Sequence, residues 1–236
     1  MKKISIMQPY YFPYLGYFGL IKHTDEFILF DTPQYIRHGW INRNRILKQK
    51  EGWLYIKVPL KSHSRETAIK DIRIDNSKDW KALTLSQLEA YKKRTPYYNG
   101  VIDIINELFS KPTNDITQLN KDCIMAVCRY LGIEREFPIF SQMDIKIDKP
   151  SSPDEWALNI CRALDINEYW NPPGGMDFFD KSKYDTYGVN LRFHTQILKP
   201  YNQERTDFEA GLSIIDVMMF NSPKEINNML DMYELQ

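Results

Sequence analysis

Pro9 and Pro13, placed directly after the apolar residues 4–7, constrain this chain more than any other feature. Proline fixes its own φ, lacks an N–H donor and holds the preceding residue in extended backbone. Residues 8–14 can therefore be neither helix nor inner strand, and they read as a stiff loop. Before that loop, residues 4–7 read as a short buried strand. After it, residues 15–23 read as a helix and residues 26–30 as a second strand ending at Asp31. Strand, loop, helix, strand is the opening of an α/β unit with parallel strands. Ligands in such folds gather at the carboxyl ends of the strands, which here are Gln8–Pro9 and Asp31. The expected fold is α/β: a Rossmann-like parallel-sheet unit at the N-terminus with a mainly helical middle region. Residues 1–236 read as a single domain, with about 79–165 as a candidate helical subdomain.

The rest of the chain is read by periodicity and breakers. Residues 33–45 mix polar and aromatic groups with little period and read as a loop. Residues 53–60 alternate like a strand, and Ile69, Ile72 and Ile74 mark another short one. Residues 80–94 read as a helix closed by Pro96. Helices follow over 101–109 and 115–131, the second stopped by Gly132. Residues 153–164 read as a helix with proline in its first turn. Tyr169 leads into a tight turn over 171–175. Residues 189–193 read as a strand, 212–220 as a buried apolar run, and 223–233 as a closing amphipathic helix.

Composition narrows the function. Lys plus Arg and Asp plus Glu both number 31, so the net charge is zero, which argues against a protein built to grip the phosphates of long nucleic acid. A local pocket for one nucleotide stays open. The 15 Tyr, 12 Phe and 5 Trp suit stacking against sugar or base rings as well as filling a core. Cys123, Cys128 and Cys161 form an odd set without CxxC spacing, which predicts free thiols in a reducing compartment. No His/Cys group has zinc spacing, so no metal is expected. Met1, Lys2 and Lys3 begin like a signal peptide, but Pro9 and Pro13 break the apolar helix it would need. No run approaches the ~20 apolar residues of a membrane span. The expectation is a cytoplasmic protein without membrane insertion; the sequence sets no oligomeric state.

Four segments can carry chemistry. In the first, residues 8–17, the prolines make a rigid loop, Gln8 offers both donor and acceptor, Tyr11 offers a ring, and Gly16 permits close approach. The second, residues 34–45, joins Gln34, Trp40, Asn42, Arg43 and Asn44 with further Arg and His; Arg forms paired hydrogen bonds to carboxylate or phosphate. In the third, Asn171 to Gly175, consecutive amides of Gly174 and Gly175 can form an anion-binding nest. The fourth contains Gln203, then Ser213 and Asp216, which read best as a helix cap with its acidic first turn. Asp31 and His194, at strand ends, are the candidate proton acceptors. Gln8, Asp31, Asn42, Arg43 and Asn44 are expected to line one pocket. Absent are a P-loop, a G-x-G-x-x-G turn, a G-x-S-x-G elbow and an Asp-x-Asp pair.

The runs MQPYYFPYLGYFGLI from Met7, FDTPQY from Phe30 and GWINRNRI from Gly39 resemble the WbqC-like protein family. The likeness continues through TPYY from Thr95, YWNPPGG from Tyr169 and LSIIDVMMFN from Leu212. It covers nearly the whole chain in order. Thr32 stands where that family often has a second Asp, which counts against a paired carboxylate beside Asp31. The run from Ala163 to Asn167 lacks the Gly common before that turn. The resemblance implies a part in building surface polysaccharide such as O-antigen, with a transferase that places glycine, or a similar acyl group, on an amino sugar. Two other readings stay open: a nucleotidyl-transfer or adenylate-forming enzyme, and a non-catalytic binder of nucleotide-sugars. The implied partner is a small sugar or nucleotide-sugar; the cofactor stays open, with a nucleotide or nucleotide-sugar as the candidate.

Overall fold

The computed structural model describes residues 2–236. Its centre is a five-stranded sheet of β1 (Lys3–Met7), β2 (Glu26–Leu29), β5 (Glu168–Asn171), β6 (Asn190–Gln196) and β7 (Tyr233–Leu235), in the order β2-β1-β5-β6-β7. β1 pairs in parallel with both β2 and β5, and β5 with β6. Only β7 runs antiparallel, against β6. The apolar run after the start is thus an inner parallel strand, as the sequence implies. Its Ile4, fully buried, and Ile6 face one side, and the buried Ser5 faces the other.

Each face of the sheet is covered, as parallel strands require. On the first face, α1 (Leu15–His23), α4 (Ile116–Leu131), α7 (Ile214–Phe220) and α8 (Pro223–Leu230) share one large core with Phe27, Leu29 and Trp170. α3 (Tyr98–Ser110) contributes Val101, Ile105 and Leu108 to that same core. On the other face, α5 (Glu155–Ala163) and α6 (Lys181–Thr186) pack on Ile4, Ile28, Tyr169 and Leu191. The stretch from 79 to 165 therefore supplies helices to both faces. α4 ends at Gly132 in the left-handed region (φ 70°), the stop its sequence predicts. Ser213 caps α7 by accepting from the Ile215 N–H at 3.2 Å.

Several expectations are corrected. Residues 33–45 are not all loop: β3 (Arg43–Leu47) pairs antiparallel with β4 (Trp53–Lys57). Its alternation is real but hidden, because the inward residue beside Ile46 is Asn44, a buried polar group. Ile69, Ile72 and Ile74 do not form a strand; a 3-10 turn spans Ile69–Asp71, and Ile74 makes a lone bridge to Leu60. The helix expected over 80–94 divides into α2 (Trp80–Leu88) and a 3-10 turn, Glu89–Tyr91. The closing helix stops at Leu230, and Tyr233 belongs to β7 instead. All three cysteines are buried free thiols, and burial pushes Cys128 and Cys161 up to about 12. Among the described residues, no helix is long and apolar enough to cross a membrane, and no cluster of His, Cys, Asp or Glu is placed to hold a metal ion.

Candidate functional site

From β1 the chain moves outward to β2; from β5 it moves the opposite way to β6. The strand order therefore reverses between β1 and β5, and the crevice outside their carboxyl ends is the preferred ligand position of such sheets. A cavity of about 340 Å³ lies there. Met7, Gln8 and Tyr10 line it from the β1 side, Asn171, Pro172, Gly174 and Gly175 from the β5 side, and Phe30 and Trp156 form further wall. A second cavity of about 350 Å³ shares Met7, Tyr10 and Pro172 with it and continues past Pro13, Tyr14, Trp40 and Arg45 to Leu198. Together they make one groove: one half sets the carboxamides of Gln8 and Asn171 among the rings of Tyr10, Phe30, Trp156 and Phe179, the other sets Arg45 among Tyr14 and Trp40, and each half is within the usual ~300–1,000 Å³ of small-molecule sites.

The loop that forms one wall is held from behind. Asn44 Nδ2 donates to the carbonyls of Tyr11 (3.2 Å) and Phe12 (2.7 Å). Asn120 Nδ2 donates to those of Pro9 and Ile41, both at 2.8 Å. Ser213 Oγ donates to Phe12 O at 2.8 Å, and Tyr17 Oη to Gln8 O at 2.9 Å. Phe12 is kept at φ 41°, in the left-handed region that non-glycine residues rarely adopt. Such strain persists only where the surroundings over-determine it. A wall fixed this way loses little entropy when a ligand arrives.

The opposite wall is equally specified. Asn171 Oδ1 accepts from Tyr169 Oη at 2.8 Å, and its Nδ2 donates to Pro172 O at 3.1 Å. The chain then makes one 3-10 turn, Pro173–Gly175. A Cβ on Gly175 would come within 2.2 Å of Asn171 Nδ2 and 2.9 Å of Phe179 Cε2, so any side chain there displaces the Asn171 amide. The Gly175 N–H donates to Pro172 O at 3.2 Å. The expected nest of two free glycine amides is therefore not formed, because one of them closes the turn.

Among the described residues, Arg45 is the one permanently charged side chain lining the groove. Its guanidinium lies 5.8 Å from the centre of the Trp40 ring and 5.2 Å from that of Trp53, and donates to Gly211 O at 3.0 Å. Burial holds the phenols of Tyr10 and Tyr14 above their ordinary range, so both are neutral donors at pH 7. Among the described residues, no carboxylate, imidazole or thiol lines either half. The groove can bind, orient and shelter a hydroxyl-rich or aromatic ligand.

A model of the WbqC-like protein family matches residues 8–228. The chain belongs to the WbqC-like protein family. The uncharacterized protein Rv1507c of Mycobacterium tuberculosis (strain ATCC 25618 / H37Rv) is 29% identical over 233 residues, covering 98% of each chain. No solved structure matches this chain.

In this WbqC-like chain the expected site residues separate. Gln8, Trp40, Asn171, Gly174 and Gly175 come together in the groove. Asn44 reaches it only in part, since it is 3% exposed and its amide supports the loop. Asn42 and Arg43 line a different cavity, against the hairpin of β3 and β4. The expected single pocket joining Gln8, Asp31, Asn42, Arg43 and Asn44 is therefore replaced by separate places. Asp31 is buried, with its carboxylate accepting from the Ser141 N–H at 3.0 Å and Ser141 Oγ at 2.6 Å. That pairing ties the end of β2 to the 138–143 segment, whose Ile139 bridges Leu29.

His194 lies under α1, where a Cβ on Gly19 would sit 2.8 Å from its ring. It stacks on Tyr233 at 4.5 Å, neither ring nitrogen has a hydrogen-bond partner among the described residues, and burial holds it down at about 4. It is not a base for the groove. Tyr11 is fully buried in the core. Gln203 is buried with its amide donating to Glu209 O and to Asp216, and its carbonyl accepting from the Glu209 N–H. Gln34, which is exposed, reaches Arg65 O at 2.5 Å. Sequence reasoning missed Asn120 and Trp156. Asn120 is an unremarkable residue of a helix, and Trp156 follows Pro153 on an amphipathic one, so neither carries a local signal of its role.

Proposed function

We propose that this protein binds a sugar, in free or nucleotide-linked form, in the switch-point groove, and acts on it as a transferase in surface polysaccharide synthesis. The observation that carries this reading is the groove itself: a rigid crevice at the carboxyl edge of a parallel sheet, with the carboxamides of Gln8 and Asn171 at one end and aromatic rings along its whole length. Carboxamides pair with hydroxyls in both directions, and Tyr and Trp rings cover sugar or base faces. The association of the WbqC-like family with O-antigen clusters supports the polysaccharide context. Within it, the transfer is of glycine or a similar acyl group to an amino sugar. The sugar amine attacks an activated acyl carbon, the leaving group departs, and the amine proton leaves with it. Gln8 and the second N–H of the Asn171 amide are the donors available for the developing oxyanion.

A binder without turnover is the second reading, favoured by the absence of any carboxylate or imidazole in the lining. One experiment separates the two. The protein is melted against UDP-linked amino sugars, free amino sugars, ATP and glycine, and then assayed for transfer of radiolabelled glycine to whichever sugar stabilises it. Stabilisation with labelled product supports the transferase. Stabilisation without product in the presence of several activated glycine donors supports the binder. Stabilisation by ATP alone moves the assignment to nucleotidyl transfer.

A further inference from the structure

The hairpin of β3 and β4 carries a third cavity, of about 410 Å³, unlike the groove in charge. Arg37, Arg43, Lys57 and Lys61 converge on it together with His38 and His63, and no carboxylate lines it. Among the described residues, none of those two arginines and two lysines is in an ion pair. In a chain whose net charge is zero, such a concentration is local. Like charges held together without counter-charge repel one another, and an anion relieves that repulsion.

The centre of the cavity is positioned, not loose. The Arg43 guanidinium lies 4.1 Å over the Tyr55 ring, and its Nε and Nη2 donate to the carbonyls of Gly39 and His38. His38 is held at φ 66°, in the left-handed region, a strain that accumulates where a segment is built for binding. His63 accepts an edge-on contact with Tyr35 at 5.1 Å; its Nδ1 pairs with Lys61 O at 2.8 Å, and its buried Nε2 has no partner.

We propose that this cavity binds the diphosphate group of a small ligand. Four permanent cations suit the two or three negative charges of a diphosphate better than the single charge of a carboxylate. Arg with Lys is the usual pairing of planar fork and point charge for phosphate oxygens. The site does not depend on the groove having a ligand. The two are nevertheless neighbours: Arg43 faces the cavity and Arg45 the groove from the same side of β3, two residues and so roughly 7 Å apart.

Inorganic pyrophosphate titrated calorimetrically into the full-length protein at low ionic strength tests the proposal. Lys57 and Lys61 are exposed, so the Lys57→Gln/Lys61→Gln double variant keeps the fold, which its melting temperature verifies. The wild type binds, the double variant binds at least tenfold more weakly, and added salt weakens the wild type more than the variant. Arg43→Lys, which keeps the charge and loses the fork, weakens binding several-fold. Parallel titrations with UDP and with farnesyl diphosphate identify the carrier: tighter UDP assigns a soluble nucleotide, tighter farnesyl diphosphate a lipid-linked one. No binding of pyrophosphate at millimolar concentration, or equal binding by wild type and double variant, overturns the proposal.

Discussion

The loop from Gln8 to Tyr14 has two faces, and the same kinds of residue do different things on each. On the outer face Gln8, Tyr10 and Tyr14 line the groove; among the described residues Gln8 contributes only its backbone carbonyl to the bonding of the fold. On the inner face Tyr11 and Phe12 are buried, and the carboxamides of Asn44 and Asn120 have their donors directed at loop carbonyls. Binding capacity lies in the polar groups the fold leaves open, and stability in those it seals. Substitutions on the two faces should therefore separate affinity from folding.

The largest effect belongs to the sealed face. Asn120→Ala removes two hydrogen bonds and leaves the Pro9 and Ile41 carbonyls without them. At ~1–3 kcal/mol for each unpaired buried group, a loss of about 2–6 kcal/mol follows. At ~2–4 °C per kcal/mol for a chain of this size, the melting temperature falls by roughly 4–24 °C. A shift of under about 1 °C on that scale would break the assignment of Asn120 as the loop's anchor.

The next effect is on pH. His194 is held at about 4 by burial, with His23 nearby adding to the depression, against ~6.5 in an unfolded chain. The unfolded state binds the proton first, so stability is full above about pH 6.5 and is lost as pH falls toward about 4. The loss over that window is on the order of 3 kcal/mol. Urea unfolding at pH 7.5 and pH 4.5 measures it, and His194→Phe should flatten the dependence. An unchanged slope in the variant would show that some other group titrates there.

A smaller effect crosses from one face to the other. Gly175→Ala forces a Cβ against Asn171 Nδ2 and Phe179, an overpacking of about 1–3 kcal/mol. Because the displaced amide lines the groove, sugar affinity should fall along with stability. Affinity that survives intact would place the ligand away from the β5 end.

Much of this was legible in the sequence. Pro9, Pro13 and the apolar run before them specify the strand, loop and helix, because backbone restriction is a local property. Gly132 and Ser213 mark their helix ends for the same reason. Gln8 was legible at the end of its strand, but Asn171 read only as part of a turn, because β5 is four residues long and carries too little alternation to be seen. The fates of Asp31, Asn44, Gln203 and His194 were not legible. Each is a polar residue whose role depends on a partner far along the chain, such as Ser141 for Asp31 or Phe12 for Asn44. Nothing in the neighbouring residues says whether a polar side chain meets a ligand or a carbonyl. β3 was missed on the same ground, since a strand with Asn44 on its inward side breaks the apolar alternation by which strands are read.

The groove itself is tested most directly by titrating a UDP-linked amino sugar into the wild type and into a Gln8→Ala/Trp40→Ala double variant. Neither side chain makes a hydrogen bond within the fold among the described residues, and Trp40 is 37% exposed. One lost neutral hydrogen bond and one lost stacking face together amount to about 2–4 kcal/mol. The account predicts that the double variant binds on the order of a hundredfold more weakly with its melting temperature unchanged. Equal affinity in the two proteins, or no binding by the wild type to any UDP-linked amino sugar, would contradict it.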